Sequence, residues 1–280
     1  MKSFSKQKTE NRKQKTLWIA LLCLAFAAFS AAPAFPQETL ESQSIKFRLI
    51  PGGTYLLGSP PHEPGRYADE ALPHQVRLEP FYLAAYETTN AQYARFLQAT
   101  GHPQPLYWED KNLNAPAQPV VGVTWEDAVA FSQWLTQTTG VLHRLPTEQE
   151  WEAAARGGLT GQPFPWGSQP PEDGGVLRAN YRTSDLAKHG FRLTAPVGSF
   201  PPNGFGLFDL AGNVAEWCLD RYHPLGGRGP FKPGSSKILK GGSWYSWARD
   251  LRCAARQAAA PDAADGFIGF RVERSALQAP

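Results

Sequence analysis

Cysteine is scarce in this chain. There are three, at positions 23, 218 and 253. Two thiols left outside the N-terminus cannot build a zinc site alone. The six histidines stand singly at 62, 74, 102, 143, 189 and 223, with no ligand spacing between them. An excess of one charge is missing too. The formal charge of +3 comes from the N-terminus; without residues 1–34, 22 basic residues face 24 acidic ones, a formal −2. That balance gives no reason to expect a nucleic-acid partner. No internal repeat, low-complexity tract or internal domain boundary is visible, and no membrane-spanning run follows the N-terminal segment.

What is present starts with that segment. Lys2, Lys6, Lys8, Arg12, Lys13 and Lys15 precede an apolar run from Leu17 to Phe29, and Ala32-Pro33-Ala34 closes it. A basic head, a short apolar stretch and a small-residue exit describe a secretory signal peptide over 1–34. The alternative is an uncleaved membrane anchor, with the apolar stretch reaching Phe35. Leu22 before Cys23 is not the small residue that lipidation wants. Export to the periplasm or medium would let Cys218 and Cys253 oxidise. A structural disulfide, two buried thiols and a catalytic thiol are the three readings of that pair.

Nine Trp, sixteen Phe, 26 Gly and 25 Pro predict ring-rich packing and many turns. Residues 35–44 read as a linker. Ile45–Ile50 alternates as a strand and is expected to form a hairpin with Thr54–Gly58 across Pro51-Gly52-Gly53. Residues 59–74 read as a loop, and His74–Leu83 as another strand. Three helices show capping boxes at Thr89/Gln92, Thr124/Asp127 and Thr147/Glu150, with stops at Gly101, Gly140 and Gly157. Glu148, Glu150 and Glu152 at the third N-terminus suit the helix dipole better than acid–base catalysis. Residues 159–235 lose regular pattern, which in a packed domain calls for a function or a pin other than a sheet. Strand-like text returns at 236–240, 251–256 and 269–272.

Nine segments in order carry a family resemblance. They are Gly52-Gly53-Thr54 to Gly58-Ser59, Tyr86 to Tyr93, Pro119 to Trp125, Arg144 to Glu152, Pro165-Trp166-Gly167, Asn203 to Leu210, Gly212-Asn213-Val214-Ala215-Glu216-Trp217, Gly241-Gly242-Ser243-Trp244 and Gly269-Phe270-Arg271-Val272. Over residues 45–274 the chain resembles the formylglycine-generating-enzyme, or sulfatase-modifying-factor, family. The resemblance implies an α+β domain, a variant of the C-type-lectin-like fold, with short strands, about three helices, much irregular structure and often bound calcium.

The family's best-known activity oxidises a sulfatase cysteine to formylglycine through two copper-binding thiols shortly after Gly-Gly-Ser. Here that stretch reads Trp244-Tyr245-Ser246-Trp247-Ala248-Arg249-Asp250-Leu251-Arg252. Ser246 stands for the first thiol, and the second falls in a shortened segment. A serine hydroxyl is no substitute for a thiolate on copper, which argues against copper and against this oxidation. Cys253 matches a cysteine the family uses structurally, so a Cys218–Cys253 disulfide is expected. Carried over, one calcium site falls on Asp209, the carbonyls of Gly212 and Val214, and Glu216. The plainer alternative is that Asp209 caps the turn and Glu216 pairs with an arginine. A weaker site falls on Asn180, Tyr181 and Phe191, with His189 where an aspartate is wanted and Asp185 nearby. Ser243, Trp244, Ser246 and Arg256 form a candidate cleft, walled also by Tyr245 and Trp247. Core packing is the alternative for the rings, and a buried ion pair for Arg256.

The functional expectation is an exported, calcium-stabilised accessory or binding protein for an unidentified protein or small-molecule ligand. The alternative is a periplasmic oxidative maturation or tailoring enzyme of the same family. A divergent formylglycine oxidase ranks last.

Overall fold

Backbone pairing between distant segments, more than local pattern, arranges the strands. The computed structural model describes residues 38–173, 175–183, 191–224 and 235–276. The expected signal segment lies outside them. Thr39–Ser42 (β1) is an antiparallel partner of Ile45–Ile50 (β2), so part of the expected linker is a sheet edge. The expected hairpin does not form. β2 pairs with β1 and with Phe81–Ala84 (β5), while Gly53–Leu57 (β3) pairs with His74–Leu78 (β4) in a separate ladder. The single strand expected over 74–83 breaks at Glu79-Pro80 because proline has no N–H for a ladder.

The three helices follow their caps. They are Asn90–Thr100 (α1), Trp125–Thr139 (α2) and Glu148–Ala155 (α3), each with a complete capping box. Gly101 and Gly140 close the first two in the left-handed conformation, with φ of 68° and 72°. The third stops earlier than expected, with Arg156 as its cap.

His143–Arg144 (β6) lies between α2 and α3, and Glu172–Asp173 (β7) pairs with Val176–Leu177 (β8). Ala215–Arg221 (β9) was not expected as a strand. Its first four residues are all buried, so it lacks the alternation that marks a half-exposed strand. Lys237–Lys240 (β10) follows, then a 3-10 helix at Ala248–Leu251, and the strand expected over 251–256 does not form. Gln257–Ala259 (β11), Ile268–Gly269 (β12) and Glu273–Ser275 (β13) complete the chain.

The larger sheet runs β1-β2-β5-β13-β6 and the second runs β11-β10-β9-β12, with β12 parallel to β9. One apolar cluster joins Tyr93 and Phe96 of α1 to Phe131 of α2 and Phe270. Tyr93 and Phe131 stack at 5.6 Å. A second cluster sets Trp151 of α3 against Leu207, Leu210, Cys218 and Ile238. All described residues belong to one compact unit, Phe35–Pro280. Among them no helix is long and apolar enough to cross a membrane.

Candidate functional site

The Gly-Gly-Ser segment leaves β10 through two left-handed residues, Gly241 and Gly242, with φ of 86° and 67°. That turn brings Ser243 and Ser246 together. The Ser243 N–H donates to Ser246 Oγ at 3.0 Å, the two hydroxyl oxygens are 3.2 Å apart, and Tyr245 N–H donates to Ser243 Oγ at 3.2 Å. Both hydroxyls therefore close the turn. Trp244 Nε1 donates to the Gly266 carbonyl at 3.0 Å, which fixes its ring. Tyr245 and Trp247 are about half exposed. The Arg182 guanidinium lies over both rings, 4.5 Å from Trp247 and 5.2 Å from Tyr245. Its backbone N–H donates to the Ser246 carbonyl at 2.8 Å. The result is a surface of rings and one cation around a serine pair.

The two described thiols are elsewhere and unbonded, so the expected disulfide is corrected. Cys218 and Cys253 are 0% and 1% exposed and belong to the cluster around Trp151. Cys218 directs its Sγ toward the Glu216 carbonyl of its own strand, at 4.0 Å, and each thiol packs as a small apolar side chain. Burial pushes the Cys218 thiol well up and the Cys253 thiol up to about 12. Neither supplies a thiolate near neutral pH.

The expected calcium donors divide. Asp209 sits in the left-handed region with φ 55°. Its Oδ2 accepts the Gly198 N–H at 2.6 Å, while Oδ1 is buried with no hydrogen-bond partner. Burial raises its pKa to about 6. An orphaned, buried carboxylate oxygen is a hard donor that fits a cation. Glu216 does not fit as carried over, because a cation already holds it. Arg271 Nε and Nη2 donate to its two oxygens at 2.7 and 2.8 Å, and Trp151 Nε1 adds a bond at 2.7 Å. Gly212 and Val214 lie between them on the turn into β9. Gly212 has φ 83°, and a Cβ there would stand 2.1 Å from the Asn180 carbonyl oxygen.

Glu87 completes the cluster. It accepts from Asn213 Nδ2 at 2.6 Å and from Val214 N–H at 3.1 Å. Its pKa is pushed well up, first by burial and then by Asp209 and Glu216. Three buried carboxylates thus share one guanidinium. Among the described residues, no group of three or more His, Cys, Asp or Glu side chains is placed to hold a metal by itself, so any ion here would need the turn carbonyls.

Arg256 is not part of the serine turn. It pairs with Glu148 at 2.8 Å, donates to the carbonyls of Asp69 and His223, and lies over the Tyr222 ring at 4.9 Å. This is the ion-pair alternative. In the weaker calcium set, Asn180 Nδ2 donates to the Leu193 carbonyl at 2.8 Å, tying it to the loop. Phe191 packs against Phe200, with ring centroids 6.5 Å apart. Asp185 and His189 lie outside the described residues. Tyr181 packs on the small cluster of Ala179, Ala211 and Leu251.

Sequence reasoning passed over Glu87, Arg271 and Arg182. The first two lie inside the family motifs, and for Arg271 the charge between Phe270 and Val272 was the available signal. Arg182 had none, since the fold alone brings it to residues 245–247.

The family model for the sulfatase-modifying factor enzyme 1-like domain matches residues 32–276. The formylglycine-generating enzyme of Streptomyces coelicolor is 33% identical, with 90% of this chain and 97% of that protein covered. A bovine protein named inactive C-alpha-formylglycine-generating enzyme 2 is 30% identical, covering 87% and 92%. Among solved structures, PvdO from Pseudomonas aeruginosa superposes with a TM-score of 0.74 at 30% identity, over 86% of this chain and 99% of PvdO. The architecture is accordingly the C-type-lectin-like fold of that family.

Proposed function

Because the chain belongs to the sulfatase-modifying-factor family, we propose that it works as an exported, calcium-stabilised binding or accessory protein and forms no formylglycine. The observation that carries this reading is the Ser243–Ser246 pair. Where the oxidase needs two soft thiolates, this chain has at the first position the Ser246 hydroxyl, bonded into its own turn by Ser243, and at the second a shortened segment. The described thiols are buried and protonated, so they offer no substitute. The bovine relative shows that a protein bearing the name inactive shares this level of identity. In this reading the rings of Tyr245 and Trp247 and the Arg182 guanidinium form the binding face, since exposed aromatics beside an arginine are typical of recognition surfaces. Calcium is held by Asp209 Oδ1 with the carbonyls of Gly212 and Val214. Its role is to neutralise a carboxylate cluster that Arg271 balances only in part.

The test is incubation of the purified protein with copper, oxygen, reductant and a peptide carrying Cys-x-Pro-x-Arg. Mass spectrometry is expected to show no aldehyde above a no-protein control. Turnover that is lost on Cys253→Ser would overturn the proposal and make that thiol the reactive group.

A further inference from the structure

A cleft of about 650 Å³ opens beside the 3-10 helix. Its walls include Pro60, Pro163, Phe164, Pro170, Pro171 and Ala248. None of Ser243, Trp244, Ser246 and Arg256 lines it, so it is separate from the face described above. The volume is that of a small-molecule pocket. Proline walls bring fixed φ and no N–H donors, which leaves the cleft shaped in advance and poor in backbone hydrogen bonds. Phe164 is held by Trp166, stacked at 5.1 Å and 6°.

Two arginines line the same cleft, and their charges are not equivalent. Arg252 is neutralised by Glu63 at 2.9 Å and by Glu70, both buried. Arg249 is exposed and lies over the Tyr67 ring at 3.7 Å. Among the described residues no carboxylate stands within ion-pair distance of it. The neighbouring Asp250 is occupied by the Tyr67 hydroxyl and by the Trp247 N–H at 3.0 Å. Stacking holds the guanidinium plane and leaves its edge free, the arrangement that suits a two-oxygen anion.

The geometry points to a binding site for a small amphipathic monoanion, with a flat apolar body against Phe164 and the prolines and a carboxylate or sulfonate head on Arg249. This does not rest on the function proposed above, and the two fail in separate assays.

The probe is 8-anilinonaphthalene-1-sulfonate, whose fluorescence rises in apolar surroundings. Its uncharged counterpart is N-phenyl-1-naphthylamine. The purified protein is expected to bind the sulfonate saturably at one site. Arg249→Gln is expected to weaken the sulfonate about tenfold and the uncharged dye less than twofold, and Arg249→Lys to recover part of the loss. Ala248→Trp fills the cleft and is expected to abolish both. Phe164→Ala, which is expected to weaken both, serves if that variant misfolds by circular dichroism. Three results would overturn the proposal: no saturable binding, sulfonate binding that ignores Arg249→Gln, or equal losses for charged and uncharged dye in that variant.

Discussion

Glu273 is a carboxyl group in the wrong solvent. It is 2% exposed on β13, with Arg144 Nε 3.1 Å away. That guanidinium is shared, because Arg144 also holds Glu150 through two bonds of 2.7 Å. Burial dominates, Arg144 offsets it in part, and Glu150 adds to it; the pKa rises to about 8. A folded pKa above the unfolded value means that the native state keeps a proton the unfolded chain releases. Stability on this account is complete below about pH 4.5 and is lost as pH rises to about 8, by at most about 1.4 kcal/mol per unit. Glu273→Gln mimics the protonated form. Urea unfolding of that variant should give a flatter profile between pH 5 and 8 and greater stability than wild type at pH 8. An unchanged slope would show that Glu273 is ionised in the fold. The thiols illustrate what residue identity cannot reveal. Counting cysteines favoured a disulfide, and the structure instead packs the two as separate buried thiols in the cluster around Trp151.

At the scale of elements, local chemistry was legible and long-range pairing was not. Thr89, Thr124 and Thr147 announced their helices because a capping box is complete within four residues. β9 was missed because a strand buried on both faces carries no period of two, and β1 because its pairing with β2 leaves no mark in its own text. The candidate site divides in the same way. Ser243, Ser246 and Asp209 stood out in motifs, but the bonds that the two serines make with each other did not. The partners Arg271, Glu87 and Arg182 arrive from distant segments, and Arg256 turned out to belong to Glu148. The tightest junction is Gly212, which needs a positive φ and bridges to Asn180. With 2.1 Å between its added Cβ and a backbone oxygen, Gly212→Ala cannot be absorbed by a rotamer change. A loss of about 3 kcal/mol or more in urea unfolding is expected. A loss below 1 kcal/mol would mean that this turn is looser than described.

For the molecule as a whole, the buried charge cluster is the joint between its parts. Arg271 follows β12 and is fully buried. It donates to the carbonyls of Ala84 at 3.1 Å and Phe208 at 2.8 Å, and to Glu216 on β9. One guanidinium therefore connects the five-stranded sheet, the four-stranded sheet and the Asp209 turn. The proposed ion adds to this balance. With calcium at a hundredfold excess over its dissociation constant, a chelator should lower Tm by roughly 5–10 °C. Asp209→Asn should remove most of that sensitivity, and identical melts with and without chelator would count against the ion. The protein's own contribution is separable. Arg271→Met leaves Glu216, Asp209 and Glu87 buried without the one guanidinium that faces them among the described residues, and about 3–5 kcal/mol of stability should be lost. Glu216→Gln should cost less, because Arg271 keeps its carbonyl acceptors and two nearby carboxylates. The double variant should be more stable than the two single losses predict, with a coupling of about 1–3 kcal/mol, since the second change removes a charge that the first left unpaired. All four proteins should be compared by urea unfolding in chelator, so that bound ion does not mask the cycle. Additive losses would mean that Arg271 acts through its carbonyl bonds alone, and the carboxylate cluster would then owe its balance to protons or to the ion.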